Sequence, residues 1–369
     1  MNNKKLKSAA RLFVALLFLS PVIFPQGKEI PKNIILMIGD GMGLNLITSS
    51  AIINEDCPFK KFRSIGLAVT CSADKLITDS AAGATAISTG HRTNNKLVGV
   101  DPEKKNLQNI FELAESKGLA TGVVVTSSVT NATPAGFISH VNDRYKEFDI
   151  AAQLTECGID VAIGGGQKYF LPKPDGERPD SINLINKLKD SGYAVTFSFD
   201  QLKNQDDTKI VALLEKDGLK PAKERNYSLS ELVNIALINL SKEENGFVLM
   251  IEGSQIDWFA GAKELNGTVN EMNDFEGAVK TAMDFTVQDK NTLLIVTADH
   301  ETGGISITGG DVKVPSPKME FLTGSHTANA VGVFAYGPGE DLFRGFYNNS
   351  ETGQKLLSLI NHRTENLSH

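Results

Sequence analysis

The stretch TLLIVTADHETGG, Thr292 to Gly304, decides how the rest of the chain is read. Its first six residues are apolar or β-branched without polar alternation, which marks a strand buried on both faces. FVLMI at residues 247–251 has the same character. Such strands belong to a largely parallel sheet covered by helices. Working outward, shorter apolar runs at 33–38, 66–70, 122–126, 160–163, 193–197 and 331–335 read as further strands. Amphipathic stretches at 107–117, 148–156, 182–191, 229–240 and 269–287 read as helices between them. This βα alternation predicts an α/β fold: one large, mostly parallel central sheet with helices on both faces. Residues 164–225, rich in Gly, Pro, Lys and Asp, read as an irregular surface region rather than a separate domain.

The composition is that of a globular enzyme, with 369 residues, 41% hydrophobic and 22% charged. Net charge is -7, and no long basic stripe follows the N-terminus, so nucleic acid is not an expected partner. Lys4, Lys5, Lys7 and Arg11 precede an apolar run at residues 12–19. That run is short for a membrane span and fits a secretory leader over 1–26, leaving a single catalytic domain over 27–369. The expected location is therefore outside the cytoplasm, periplasmic or extracellular, with no stable membrane span. Cys57, Cys71 and Cys157 are too few and too scattered for a disulfide framework, so they read as buried thiols; a Cys57–Cys71 bridge is the alternative.

In an open α/β sheet, ligands bind beyond the carboxyl ends of the strands, and chemically capable residues recur there. IGDGMG, 38–43, ends the first strand in Asp40 between glycines, which suits either a capped turn or a metal approached closely by backbone. TDSAAGATA, 78–86, sets Ser80 at the start of a helix of small residues. There it is either a helix cap or a nucleophile, aided by helix-end N–H groups and activated by a metal in the absence of a local histidine base. The stretch from Thr126 through Thr133 to His140 and Arg144 reads as a loop whose arginine is either exposed or able to clamp two phosphate oxygens. Glu252 and Asp257 follow a buried strand and need a metal or an ion-pair partner. Asp299 and His300 can share a metal where their strand ends, and Gly303 and Gly304 allow the turn. His326 lies in another small-residue loop. Carboxylate oxygen with imidazole suits Zn²⁺ and Mg²⁺.

Taken together, IGDGMG, TDSAAGATA, NATPAGFISHVNDR, EGSQIDW, TADHETGG and GSHTA, in this order over about residues 33–339, resemble the alkaline phosphatase family. The resemblance implies a phosphate monoester hydrolase that works through a phosphoserine. Ser80 would be the nucleophile and Arg144 the phosphoryl clamp. Asp40, Asp299 and His300 would hold one zinc, Asp257 and His326 the other, and Thr133, Glu252 and Asp40 magnesium. Small phosphate monoesters would be the substrates, and the family's frequent dimers allow a homodimer.

Two departures accompany the resemblance. Gly261 stands four residues after Asp257, where the family carries a zinc-ligating histidine, and Asn131 stands where relatives carry Asp or His. Three outcomes of Gly261 are open: a site completed by water, a contribution from Glu264, or an exported phosphate-binding relative with impaired turnover. A phosphodiesterase of the same superfamily is the other alternative. A sulfatase is disfavoured, because no arginine frames Ser80 as such enzymes require.

Overall fold

The computed structural model describes residues 30–365; the expected leader at residues 1–26 lies outside them. Ten strands form one sheet: β1 (Asn33–Gly39), β2 (Ser64–Val69), β3 (Ala120–Ser128), β4 (Val161–Gly165), β5 (Ala194–Thr196), β6 (Ile210–Leu213), β7 (Phe247–Gly253), β8 (Thr292–Thr297), and the strands Val331–Tyr336 and Gly345–Asn348. Their order across the sheet is Gly345–Asn348, β2, Val331–Tyr336, β8, β1, β7, β3, β4, β6, β5. Every pairing is parallel except those of Val331–Tyr336, which runs antiparallel to both β2 and β8. The expected α/β sheet is present, with helices on both faces.

The four central strands β8, β1, β7 and β3 are buried along their whole length. A strand covered on both faces has no polar side to show, which is why these segments lack alternation. Within residues 164–225, β5 falls on the strand expected at 193–197, whereas β6, which extends the sheet beside it and is fully buried, was not expected. An isolated apolar run of five residues between Lys209 and Glu215 cannot be told from a buried helix segment by pattern.

The helix Ser80–Thr89 is buried at all ten positions. Its Ser, Ala, Gly and Thr residues are the reason it can be enclosed. A Cβ on Gly136 would lie 3.2 Å from Ala84, and one on Gly353 would lie 2.5 Å from the Ile87 carbonyl oxygen. Backbone packs on backbone around this helix. The long helix Leu265–Asp289 and the helix Leu229–Leu240 cover the sheet elsewhere, the latter opened by a Ser228–Glu231 capping box. Cys57, Cys71 and Cys157 are all free. Cys57 is buried with its thiol 2.9 Å from Glu276 Oε1, while the other two are half-buried. No helix among the described residues is long and apolar enough to cross a membrane.

Candidate active site

β7, β1 and β8 end at one level, because Ile38 pairs with Glu252 on one side and with Thr297 on the other. Asp40 and Asp299 each follow two residues later, so parallel register alone brings three carboxylates to one edge. Glu252 is fully buried, as are Asp299 and His300, and Asp40 is 2% exposed. His300 Nε2 lies 3.1 Å from Asp299 Oδ2 and 3.3 Å from Asp40 Oδ1. Ser80 Oγ is 3.4 Å from the same nitrogen, so a histidine that no local motif announced faces the serine across 220 residues.

Ser80 is not the helix cap. Asp79 is: its Oδ1 accepts from the Ala82 N–H at 3.0 Å, and its Oδ2 accepts from the Lys96 N–H and from Arg144 Nη1 at 3.3 Å. Capping by Asp79 frees the Ser80 hydroxyl to face His300 at the positive end of the helix. Gly83, one turn in, lets the helix meet the strand end, since a Cβ there would lie 2.9 Å from the Asp299 carbonyl oxygen. Arg144 is part-buried beside Asp79 and meets it through one of its guanidinium nitrogens.

Asp257 lies on the helix Gln255–Gly261, and His326 opens the two-residue strand His326–Thr327, paired with Glu301–Thr302. His326 Nε2 is 3.6 Å from Asp257 Oδ1, and its Nδ1 meets the Thr78 carbonyl oxygen at 2.9 Å. The His300 and His326 rings stack, centroids 3.5 Å apart. Ser127 and Ser254 both donate to Glu252 Oε2.

The electrostatics show what the cluster lacks. Burial, reinforced by Asp299, Asp257 and Glu252, raises the Asp40 carboxyl well above the usual range. Burial likewise pushes Glu252 up to about 7, against the Ser254 hydroxyl. Burial would raise Asp299 too, but His300 beside it drives it down to about 2. His300 is held up by Asp299 against its own burial, whereas His326 is lowered by burial and by the His300 charge. A buried pocket so rich in carboxylates calls for cations.

Four buried oxygens here accept or donate no hydrogen bond, Asp40 Oδ1, Asp299 Oδ2, Glu252 Oε1 and Thr133 Oγ1, although the first two lie within ion-pair distance of His300. Asp40, Asp299 and His300 converge closely enough to hold one metal ion, and Asp257, His300 and His326 converge around a second point. The hard oxygens of Thr133 and Glu252 next to Asp40 suit magnesium, and the carboxylate–imidazole sets suit zinc. The residues present fit the metals the sequence suggests.

Gly261 ends the helix one turn beyond Asp257 and faces Gly324, two residues before His326. A Cβ there would meet only the Gly324 carbonyl oxygen, at 3.8 Å. Glu264 is exposed and belongs to neither metal-capable group among the described residues. Asn131 spends its side-chain oxygen capping the helix Ala132–Ile138 through the Ala132 N–H at 2.8 Å. His140, singled out in the same stretch, stands apart from the cluster, held by the Gly99 carbonyl oxygen at 2.6 Å and Glu112 at 2.8 Å. Sequence reasoning overlooked Asp79 and Thr302, although each sits inside a quoted motif.

The chain matches the alkaline phosphatase family over residues 31–321. It is 32% identical to alkaline phosphatase 3 of Bacillus subtilis, the alignment covering 89% of each chain. It is 31% identical to the Escherichia coli alkaline phosphatase over 84% of this chain and 78% of that one. The structure of alkaline phosphatase from the Antarctic bacterium TAB5 superimposes with a TM-score of 0.84 at 37% identity, covering 90% of this chain and 99% of the other. A mutant of that enzyme, 36% identical to this chain over the same coverage and with the same TM-score of 0.84, is described with magnesium bound in its M3 site.

Proposed function

The chain belongs to the alkaline phosphatase family, and from that premise we propose that it hydrolyses small phosphate monoesters through a phosphoserine on Ser80, with zinc and magnesium as cofactors. The observation that carries this reading is the set of four buried oxygens without a hydrogen bond, gathered with His300 about the Ser80 hydroxyl. Asp40, Asp299 and His300 would hold one zinc, Asp257 and His326 the other, and Thr133 and Glu252, with Asp40, magnesium. When bound, these ions neutralise phosphoryl charge and lower the pKa of a coordinated hydroxyl or water.

The chain's own residues carry the rest. The Ser80 hydroxyl gives up its proton to solvent as Oγ forms a bond to phosphorus and the bond to the leaving alkoxide breaks, and the alkoxide takes a proton from water. Water then attacks the phosphoserine, returning the serine hydroxyl and releasing inorganic phosphate. The helix opening at Ser80 directs its dipole at the dianion. Asp79 holds Arg144 by one nitrogen, which aims the remaining donors at the phosphoryl oxygens. The basic and then apolar start of the chain supports export.

Hydrolysis of p-nitrophenyl phosphate with zinc and magnesium tests the proposal, alongside Ser80→Ala and acid-quenched labelling of phosphoserine. Turnover with a labelled Ser80 is expected, and Ser80→Ala should lose both. An unchanged rate in that variant refutes the mechanism, and faster cleavage of a diester refutes the substrate class. Gly261 favours a second reading, in which the Asp257–His326 position is filled weakly. Stoichiometric phosphate binding without turnover under any metal would establish it.

A further inference from the structure

Thr302 stands where the two metal-capable groups touch. Its side chain is buried, 1% exposed, and its backbone N–H donates to the Gly41 carbonyl oxygen at 3.0 Å, next to Asp40. Across the short strand pair it is the partner of His326. Gly41, at φ 70°, makes room for it, because a Cβ there would lie 2.7 Å from Thr302 Oγ1. The hydroxyl has two partners. It donates to Asp257 Oδ1, and it lies 3.2 Å from His300 Nδ1.

A hydroxyl has one proton. Asp257, as a carboxylate, can only accept, so the Thr302 proton goes to it. Towards His300 the same oxygen can then only accept, and Nδ1 must carry the hydrogen. In the neutral ring that metal ligation requires, the free electron pair of His300 is thereby placed on Nε2, the atom 3.1 Å from Asp299 and 3.3 Å from Asp40. His326 reaches the same tautomer by a simpler route, because its Nδ1 faces a backbone carbonyl at Thr78 that can never donate. His300 has no such fixed acceptor. Its tautomer depends on a hydroxyl, and the direction of that hydroxyl depends on a carboxylate of the other group.

We propose that Thr302 is a positioning residue that sets the metal-binding tautomer of His300 and ties the Asp40–Asp299–His300 site to the Asp257–His326 site through one proton. The proposal rests on the two-metal reading above. It implies that the two sites are not filled independently: charge at Asp257 orders Thr302, and Thr302 orders the ligand nitrogen of the neighbouring site.

Zinc titration of the whole protein against a chromophoric chelator tests this in the wild type, Thr302→Val and Thr302→Ser. Loss of such a supporting partner costs about 10–100-fold in metal affinity. Thr302→Val should lose that much, while Thr302→Ser, which keeps the hydroxyl, should stay close to the wild type. Nitrogen-15 imidazole spectra of the zinc-loaded wild type give a second readout that needs no variant, and should place the His300 proton on Nδ1. A proton on Nε2, or zinc affinity in Thr302→Val equal to that of the wild type, overturns the proposal and leaves the two-metal reading intact. A wild type that binds no zinc overturns both.

Discussion

At the scale of single residues, the chemistry here is set by which atoms lack partners. Gly261 is the plainest case, since a Cβ placed there would meet the Gly324 carbonyl oxygen, in the loop of His326, at no less than ordinary contact distance. Gly261→His should therefore fold normally and bind a second zinc about tenfold or more tightly than the wild type, because three protein ligands replace two. Equal second-site affinity in the two proteins would show that the gap is already compensated. Asp79→Ala makes a different point. It removes a cap worth about 1 kcal/mol and releases Arg144, so KM should rise along with a modest loss of stability; an unchanged KM would separate Arg144 from substrate. The site residues that were legible in the sequence, such as Asp40, Asp299 and His300, flank apolar strands and so stand out as polar residues at strand ends. Asp79 and Thr302 were not legible, because a cap and a hydroxyl relay are defined by partners. For Thr302 the decisive partner is 45 residues away.

At the scale of elements, close approach and loop clamps govern how the site is held. The helix Ser80–Thr89 meets the end of β8 through Gly83, so Gly83→Ala should cost about 1–3 kcal/mol in denaturant unfolding by forcing the two apart. Native stability in that variant would mean the contact yields easily. The loop around Gly99 is clamped by His140. Burial lowers the His140 pKa, but the Glu112 hydrogen bond, the Gly99 carbonyl and the Glu112 charge outweigh it and leave the pKa raised. A histidine with a raised folded pKa stabilises fully below its unfolded value and loses that contribution as pH rises through the folded one. The stability gap between wild type and Glu112→Gln, at most about 1 kcal/mol for so exposed a partner, should thus be present at pH 6 and close by pH 9. A gap independent of pH would indicate a neutral clamp. Pattern reading recovered the helix Leu229–Leu240 to the residue, since its capping box and apolar spacing agree. It missed the helix Leu44–Ile53, where apolar residues fall on every side and leave no period to read.

At the scale of the whole molecule, the sheet is a frame that gathers residues from Asp40 to His326 onto one edge. Ions bound there should stabilise the entire fold, by about 2.7 kcal/mol at a hundredfold excess over the dissociation constant. Chelation should accordingly lower the melting temperature, and restoring zinc and magnesium should recover it; identical melting curves would argue against resident metals. The frame also dictates an order of events. β1 lies between β7 and β8, its only sheet neighbours, and both come more than two hundred residues later in the chain. During synthesis the first strand therefore waits with both edges bare until most of the polypeptide has emerged. A product cut short before Phe247 can close no centre and would present a seven-residue apolar ribbon, NIILMIG, to its neighbours. Catalysis is in this way locked to completion: the nascent chain is silent, and adhesive, until nearly all of it has been made.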